Sequence, residues 1–419
     1  MAADTTQQFA VALLTGGSDP SYVFGLGTSL MPSRMTLDII GNDELAFPEF
    51  QGKPRVNFLN LRGDQRHDVG FGCKVKRILA YYARLIGYAA VAKPKIFHIL
   101  WNSKFEFFDR TLLTLYYKLL GKKIVLTVHN VNKAKRDHAD SFMNRLTLRF
   151  QYQLANHLFV HTEKMKAELL EDFGVHKDSV TVIPFGINNS IAFTHMTEKE
   201  ARARLGIGDG ERAILFYGRI KPYKGLEYLV SAFLQLLTRR EDYRLIVAGE
   251  PHACEEYWAE MQKAMHKEVQ RGRIVLRIGY IPDNETELYF KAADVVVLPY
   301  REIYQSGVLF LGYSFGLPVI ASDVGSLKED VVEGRTGFVI RPEDPAALAE
   351  AIERYFASDL FAELDSRRRE ITEYATARHS WDVVAQMTLN VYAGLLGRPL
   401  QDLSKPDASS PSLDLHASS

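Results

Sequence analysis

The sequence predicts an α/β protein of two doubly wound, Rossmann-like domains facing a central cleft. Three observations carry that prediction: the length, an alternation of strand and helix patterns that runs twice along the chain, and a turn-rich break between the two runs. At 419 residues, 47% of them hydrophobic, the chain is long enough for two cores of ordinary size. Short β-branched runs separated by longer helical stretches mark βαβ units winding a parallel sheet. The first series of expected strands is 9–14, 37–40, 56–59, 96–100, 124–128, 158–160 and 180–183. The second is 213–217, 245–248, 274–277, 295–298, 319–321 and 338–340. Between them, 184–198 (PFGINNSIAFTHMTE) is rich in turn formers and follows neither period, so it reads as the linker. The expected domains are therefore 1–190 and 191–380. A helical pattern over 381–397 is expected to cross back to the first domain, and the Pro- and Ser-rich stretch 398–419 to form a disordered tail.

Charge is balanced overall, with 51 Lys and Arg against 51 Asp and Glu, but residues 1–190 hold 24 basic and only 17 acidic side chains. Most of the excess lies in 51–150, where 20 basic side chains face 6 acidic ones. Such asymmetry suits an anionic partner or, equally, a solvated basic surface. Cys73 and Cys254 are far apart and form no disulfide framework, which suits a reducing compartment. The amino terminus has no basic leader region, and its apolar run is far too short to span a bilayer. Neither a signal peptide nor a membrane-spanning helix is expected, and a cytoplasmic location is.

Doubly wound domains bind ligands at the carboxyl ends of their strands, and the motifs that carry chemistry fall there. Gly218-Arg219-Ile220-Lys221-Pro222-Tyr223-Lys224-Gly225 follows the strand 213–217 and opens a helix. Arg219 can fork across two phosphate oxygens, Lys224 adds a point charge, and the glycines admit close approach, so this loop suits a diphosphate. Basic side chains in such a turn can also simply be solvated. A second loop, Tyr300-Arg301-Glu302-Ile303-Tyr304-Gln305-Ser306-Gly307, joins the strand 295–298 to an apolar helix. Free backbone N–H groups at that helix start favour an anion, unless Ser306 merely caps the helix. No Asp-x-Asp pair occurs and the 12 histidines lack ligand spacing, so no metal is expected. A dinucleotide oxidoreductase is excluded, because Gly25-Leu26-Gly27 runs into Thr28-Ser29-Leu30 and lies too late for a G-x-G-x-x-G turn.

In order, GRIKPYKG, LIVAGEP, VVVLPY, GLPVIASDVGSLKEDV and GRTGFVIRPED resemble the donor-binding domain of the family 4 retaining glycosyltransferases, the group 1 enzymes of GT-B fold, over about 130 consecutive residues. The first half is similar through Gly16-Gly17, Leu126-Thr127-Val128-His129-Asn130 and the run Val182-Ile183-Pro184-Phe185-Gly186-Ile187. The resemblance implies transfer of a sugar from a nucleoside-diphosphate sugar, a co-substrate, with no other cofactor. It implies that Arg219 and Lys224 hold the donor diphosphate, helped by backbone N–H groups of Gln305, Ser306, Gly307 and Val308. Glu250 and the pair Tyr280 and Ile281 would line the nucleotide, Gly16 and Gly17 would reach the phosphates, and His129 would sit beside the transferred sugar. The family commonly carries two glutamates eight positions apart. Counting eight from Glu302 reaches Phe310, with Leu311 and Gly312 also uncharged, so Glu302 stands without its partner and altered ribose contacts are expected.

For the acceptor, a glycan or a lipid-linked molecule is expected, in polysaccharide or glycolipid synthesis, and no nucleic acid. Lys74, Lys76, Arg77 and Arg84 lie among Tyr81, Tyr82 and Tyr88, and Lys118, Lys122 and Lys123 beside Phe107, Phe108, Tyr116 and Tyr117. That mixture suits peripheral contact with an anionic membrane at its inner face; it equally suits aromatics that pack the sheet and lysines that stand in solvent. A nucleotide-sugar epimerase or a phosphorylase on a similar scaffold, and a catalytically silent nucleotide- or glycan-binding protein, remain open because fold alone does not fix reaction.

Overall fold

All the expected strands form, and all pair in parallel. The computed structural model describes residues 9–17, 19–66, 70–136, 139–187 and 194–404. Its first sheet contains β1 (Ala10–Leu14), β2 (Thr36–Gly41), β3 (Val56–Asn60), β4 (Ile96–Ile99), β5 (Lys123–Thr127), β6 (His157–Val160) and β7 (Val180–Val182), in the order β3-β2-β1-β4-β5-β6-β7. The second contains β8 (Arg212–Tyr217), β9 (Tyr243–Gly249), β10 (Ile274–Ile278), β11 (Val295–Leu298), β12 (Val319–Ser322) and β13 (Gly337–Ile340), in the order β10-β9-β8-β11-β12-β13. Central strands such as β4, β6, β11 and β12 are buried along their whole length, which is why they read as short, mostly apolar runs with no alternation. Strand order reverses between β1 and β4 in one sheet and between β8 and β11 in the other, the crevices where α/β sheets take ligands.

The chain divides into two compact units, one of residues up to Gly186 together with those from Trp381 onward, the other Ile187–Ser380. In the first unit α1 (Pro20–Leu30) follows β1. Then α2 (Phe71–Val91), α3 (106–119, with a π-helical turn at Asp109–Leu113) and α4 (Phe142–Leu154) connect β3 through β6. The second unit has a short helix α5 (Gly307–Ser314) after β11, and α6 (Trp381–Leu396) returns to the first. Trp381 packs edge-on to Tyr22 of α1 at 4.9 Å between ring centroids, and a side chain at Gly25 or Gly186 would collide with its indole. His98 of β4 is fully buried and joins three elements, with Nδ1 2.6 Å from the Tyr392 hydroxyl of α6 and Nε2 2.7 Å from Thr127 Oγ1 of β5. Val384, Leu389 and Tyr392 complete a core with Val23, Leu26 and Ile39.

One expectation needs correction, and two are refined. Residues 398–404 are not a loose tail: Gln401–Ser404 is a helical turn, Leu403 is fully buried, and its carbonyl accepts the Arg34 N–H at 3.0 Å. The rest of the expected tail, 405–419, lies outside the described residues. The helix Glu198–Arg204 starts at the last residue of the expected linker, where Thr197 and Glu200 form a reciprocal capping box. Of the two readings left open for the aromatics among the lysines of the first half, most of these side chains take the inward one. Tyr81, Tyr82 and Tyr117 are buried, Tyr88 donates to Asp38 Oδ2 at 2.7 Å, and Lys122 is itself occupied, donating to the Ala92 carbonyl at 2.6 Å and the Pro94 carbonyl at 3.0 Å.

Candidate functional site

In the second unit, the loops that leave β8 and β11 are locked together. The Arg301 N–H donates to the Tyr223 carbonyl at 2.8 Å. Gly225, with φ of +65°, lies so close to the Pro299 carbonyl that a Cβ there would overlap it, which is why glycine ends this loop. The short 3-10 turn Pro222–Lys224 delivers Lys224 into a nearly buried position, 7% exposed, with its ammonium 5.4 Å from the centre of the Tyr300 ring. Arg219 is exposed and has no hydrogen bond or ion pair with any described residue.

Ser306 occupies the N-cap position of α5 but does not cap it; its hydroxyl turns to the Tyr300 hydroxyl, 3.5 Å away. The ordinary N-cap considered for this position is therefore set aside, and the first N–H groups of α5 have no partner among the described residues, with the positive end of the helix dipole behind them. Beside them the half-buried Gln305 has a side-chain oxygen without a partner among the described residues. Along the same edge of the sheet, Glu250 follows β9, its carbonyl accepting the Ile220 N–H at 2.8 Å and its side chain exposed. Beyond β10, Tyr280 is 74% exposed and Ile281 is buried. Arg219, Lys224, Gln305, Ser306, Gly307 and Val308 thus converge on the β8/β11 switch point, with Glu250, Tyr280 and Ile281 on the flanking β9 and β10.

Glu302 is exposed on the β11 loop. The positions that would carry a second glutamate are part of the core: Phe310 packs on His379 at 4.3 Å between centroids, Leu311 is buried, and Gly312 faces Val296. A carboxylate in that row would be desolvated among apolar groups.

In the first unit a cavity of about 450 Å³ opens at the carboxyl ends of β1, β4 and β5. Gly16 and Gly17 line it with φ of +60° and +74°. Gly16 lies against the Trp101 backbone, and the Arg62 guanidinium covers Gly17 while donating to the Gly16 carbonyl. His129 stacks face to face on Trp101, 4.1 Å between centroids with planes 3° apart, and its Nδ1 is 3.2 Å from His161 Nε2. Burial, followed by the neighbouring histidines 161 and 98, holds the His129 imidazole well below its ordinary pKa. His129 is therefore a neutral hydrogen-bonding ring at neutral pH, with Nε2 unpartnered among the described residues. His161 is pushed down to about 4, again by burial. The structure brings Gly16, Gly17 and His129 to one cavity.

Arg62, Trp101 and His161 belong to this cluster yet were not singled out in the sequence. Only Trp101 left a signal, as the residue just past the end of β4 at the switch point.

Two sheets of Rossmann strand order in one chain, with an anion-suited loop pair at the second switch point, define a protein of the GT-B class. The profile described as glycosyl transferases group 1 matches residues 211–358, and that of Glycosyltransferase Family 4 matches residues 41–190, together well over half of the chain. The chain belongs to the family 4 glycosyltransferases. It is 28% identical over 280 residues to a D-inositol 3-phosphate glycosyltransferase of Corynebacterium urealyticum, covering 65% of this chain and 64% of that protein. The chain spans between 54% and 64% of the length of the first curated relatives it matches. Among solved structures, sucrose-phosphate synthase from Thermosynechococcus elongatus superimposes with a TM-score of 0.72 at 20% identity, over 93% of this chain and 100% of that one. Anabaena HepE in complex with UDP-glucose does so with a TM-score of 0.69 at 14% identity, over 92% and 99%. Among the described residues, no helix is long and apolar enough to cross a membrane.

Proposed function

We propose that this chain is a retaining glycosyltransferase that moves a sugar from a nucleoside-diphosphate sugar to a glycan or lipid-linked acceptor, in the assembly of a polysaccharide or glycolipid. The observation that carries the reading is the uncapped start of α5 beside Lys224 and Arg219, an anion site built from free N–H groups and two cations. Family membership adds to it, and HepE, solved with UDP-glucose, supports a nucleotide sugar as the ligand class.

In this mechanism Arg219, Lys224 and the N–H groups of Gln305 to Val308 stabilise the charge that grows on the departing diphosphate, the main electrostatic task of the transfer. They do so in place of a metal ion. The acceptor hydroxyl attacks from the face the diphosphate leaves and gives its proton to the leaving phosphate oxygen. The role carried over to Gly16 and Gly17, to take a phosphate at the end of β1, requires the Arg62 guanidinium that covers Gly17 to move aside. His129, neutral through burial, accepts or donates a hydrogen bond to a sugar hydroxyl without adding charge at the reacting carbon. Glu302 stands near the sugar, and Glu250, Tyr280 and Ile281 receive the nucleoside, with the ribose held without a second glutamate. A lipid-linked acceptor would bring the first unit to the inner face of an anionic membrane.

The test is donor binding and slow donor hydrolysis across a panel of nucleotide sugars without added metal, in the parent protein and in Arg219→Ala and Lys224→Ala. Loss of one charge-assisted contact is expected to weaken binding by about 10- to 100-fold in each variant. Binding that survives both substitutions would refute the diphosphate assignment, and tight binding without hydrolysis or transfer would favour a silent nucleotide-binding protein.

A further inference from the structure

Helices α2, α3 and α4 each carry two apolar faces. Inward, Tyr81, Tyr82, Leu85 and Ala89 of α2, Leu113 and Tyr117 of α3, and Leu148 and Tyr152 of α4 are buried. Outward, α2 presents Phe71, Val75, Leu79 and Ile86, α3 presents Leu112, Leu115 and Leu119, and α4 presents Phe142, Leu146 and Phe150, all exposed. Each outward set repeats at three-, four- or seven-residue steps, the spacing of one helix face. Among the described residues, fourteen of the fifteen exposed large hydrophobic side chains fall within 71–150; Phe71 is 83% exposed and Phe142 80%.

The three helices form one layer. Right-handed crossovers from β3 through β4 and β5 to β6 put them on one face of the sheet. Tyr82 of α2 stacks on Phe105 just before α3, the Tyr116 hydroxyl donates to the Ile86 carbonyl at 3.1 Å, and Arg110 of α3 donates to Asn144 of α4 at 2.9 Å. A contiguous exposed apolar layer of this kind is unusual for a surface that meets only water. Its charge is mainly basic: α2 and α4 contain no acidic residue, the exposed acid of α3, Glu106, is paired with Arg110, and Lys76, Arg84 and Lys104 are exposed on these helices or at their ends, as are Arg149 and Arg145, the latter ion-paired with Asp140. On α2, Lys76 and Arg84 follow Val75 and Ala83 directly, so they flank the apolar stripe.

We propose that the outward face of α2, α3 and α4 docks the first unit on an anionic lipid bilayer. The aliphatic and Phe side chains enter the boundary between headgroups and acyl chains, and the flanking cations pair with lipid phosphates. The residues that do this are largely not the tyrosines singled out in the sequence, which face the core. A second copy of the chain would fit the apolar stripes, but a like-charged rim of cations on both copies opposes that pairing.

The experiment is co-sedimentation of the full chain with vesicles of phosphatidylglycerol and phosphatidylcholine in equal parts, and with vesicles of phosphatidylcholine alone. Binding is expected to the anionic vesicles and to weaken as salt is raised. The triple variant Leu79→Glu, Leu112→Glu, Leu146→Glu, at positions exposed enough to tolerate charge, is expected to lower partitioning at least about tenfold, as is Lys76→Glu with Arg84→Glu. Nucleotide-sugar binding measured on the same variants is expected to be unchanged, which separates failure of this inference from failure of the proposed function. No partitioning to anionic vesicles by the parent would overturn it. So would a parent that is dimeric in solution with a monomeric triple variant, which would assign the face to self-association.

Discussion

Acidification should unfold the first unit selectively. His98, His129 and His161 are buried there, and burial depresses all three imidazoles, to about 3 for His98, to about 4 for His161, and well below the ordinary value for His129. In the unfolded chain each titrates near its ordinary value of about 6.5. A group with a depressed folded-state pKa that must be neutral in the fold contributes fully above the unfolded value, and its contribution is lost as pH falls toward the folded one. At about one pH unit below 6.5 the unfolded chain gains about 1.4 kcal/mol from each such histidine. Three of them cost the first unit about 4 kcal/mol between roughly pH 7.5 and pH 5.5, a large part of the about 5 to 15 kcal/mol typical of a domain. His157, depressed to about 4 mainly by burial, adds in the same direction, while Asp109, raised to about 6 by burial, offsets about 1 kcal/mol of the loss. Urea unfolding followed by tryptophan fluorescence in a Trp258→Phe background reads this unit alone, because Trp101 and Trp381 belong to it and Trp258 does not. The expected result is a large fall in the urea midpoint at the lower pH with an unchanged slope. A loss below about 1 kcal/mol would show that these rings are reached by water or protons without unfolding, and would refute the argument from burial.

Asp330 behaves in the opposite sense. Burial raises its carboxyl to about 7, with Glu329 adding to the rise and the Ser326 hydroxyl, 3.0 Å away, opposing it. Its stabilising protonated form is lost as pH rises from the ordinary carboxylate range through about 7. Asp330→Asn should therefore stabilise the second unit by about 2 kcal/mol more at pH near 8 than at pH near 5, measured by urea unfolding at both. Gly225→Ala, which must fit a Cβ against the Pro299 carbonyl at φ of +65°, should cost about 2 kcal/mol or more and weaken nucleotide-sugar binding together with stability; wild-type thermal stability with wild-type binding would count against the locked loop. Phe310→Glu, which supplies the glutamate absent from this row, should destabilise by several kcal/mol, about 3 or more, without raising donor turnover, because the position is core. Trp381→Ala should cost about 3 to 5 kcal/mol in the first unit by thermal or urea unfolding.

Strands were the most legible feature, since a parallel strand buried on both faces writes itself as a short apolar run whatever surrounds it. The donor loops were equally legible because their chemistry is contiguous: Arg219, Lys224 and Gly225 sit within seven residues, as do Glu302 and Val308. The cluster around His129 was not. Arg62 follows β3, Trp101 follows β4 and His161 follows β6, and only the strand order brings these loops together. The direction of side chains on α2 was also hidden, because Tyr81 and Leu79 both belong to apolar rows and composition does not say which row meets the sheet. The stretch 398–404 misled through its Pro and polar residues; one buried residue, Leu403, with the carbonyl it offers to Arg34, is enough to hold it.

The return of α6 to the first unit has a consequence for how the protein is made. On a ribosome the strands of that unit emerge first, yet the helix that fills the groove beside Gly25 and Gly186 and satisfies His98 emerges only after the whole of 187–380 has been translated. The second unit is continuous in sequence and is free to complete its fold in the interval. The unit begun first is thus finished last, and through that wait it carries an uncovered apolar groove around Tyr22 and Leu26. A nascent chain in this state is a client for holding chaperones, and a message broken before codon 381 yields one completed unit tethered to one that cannot close.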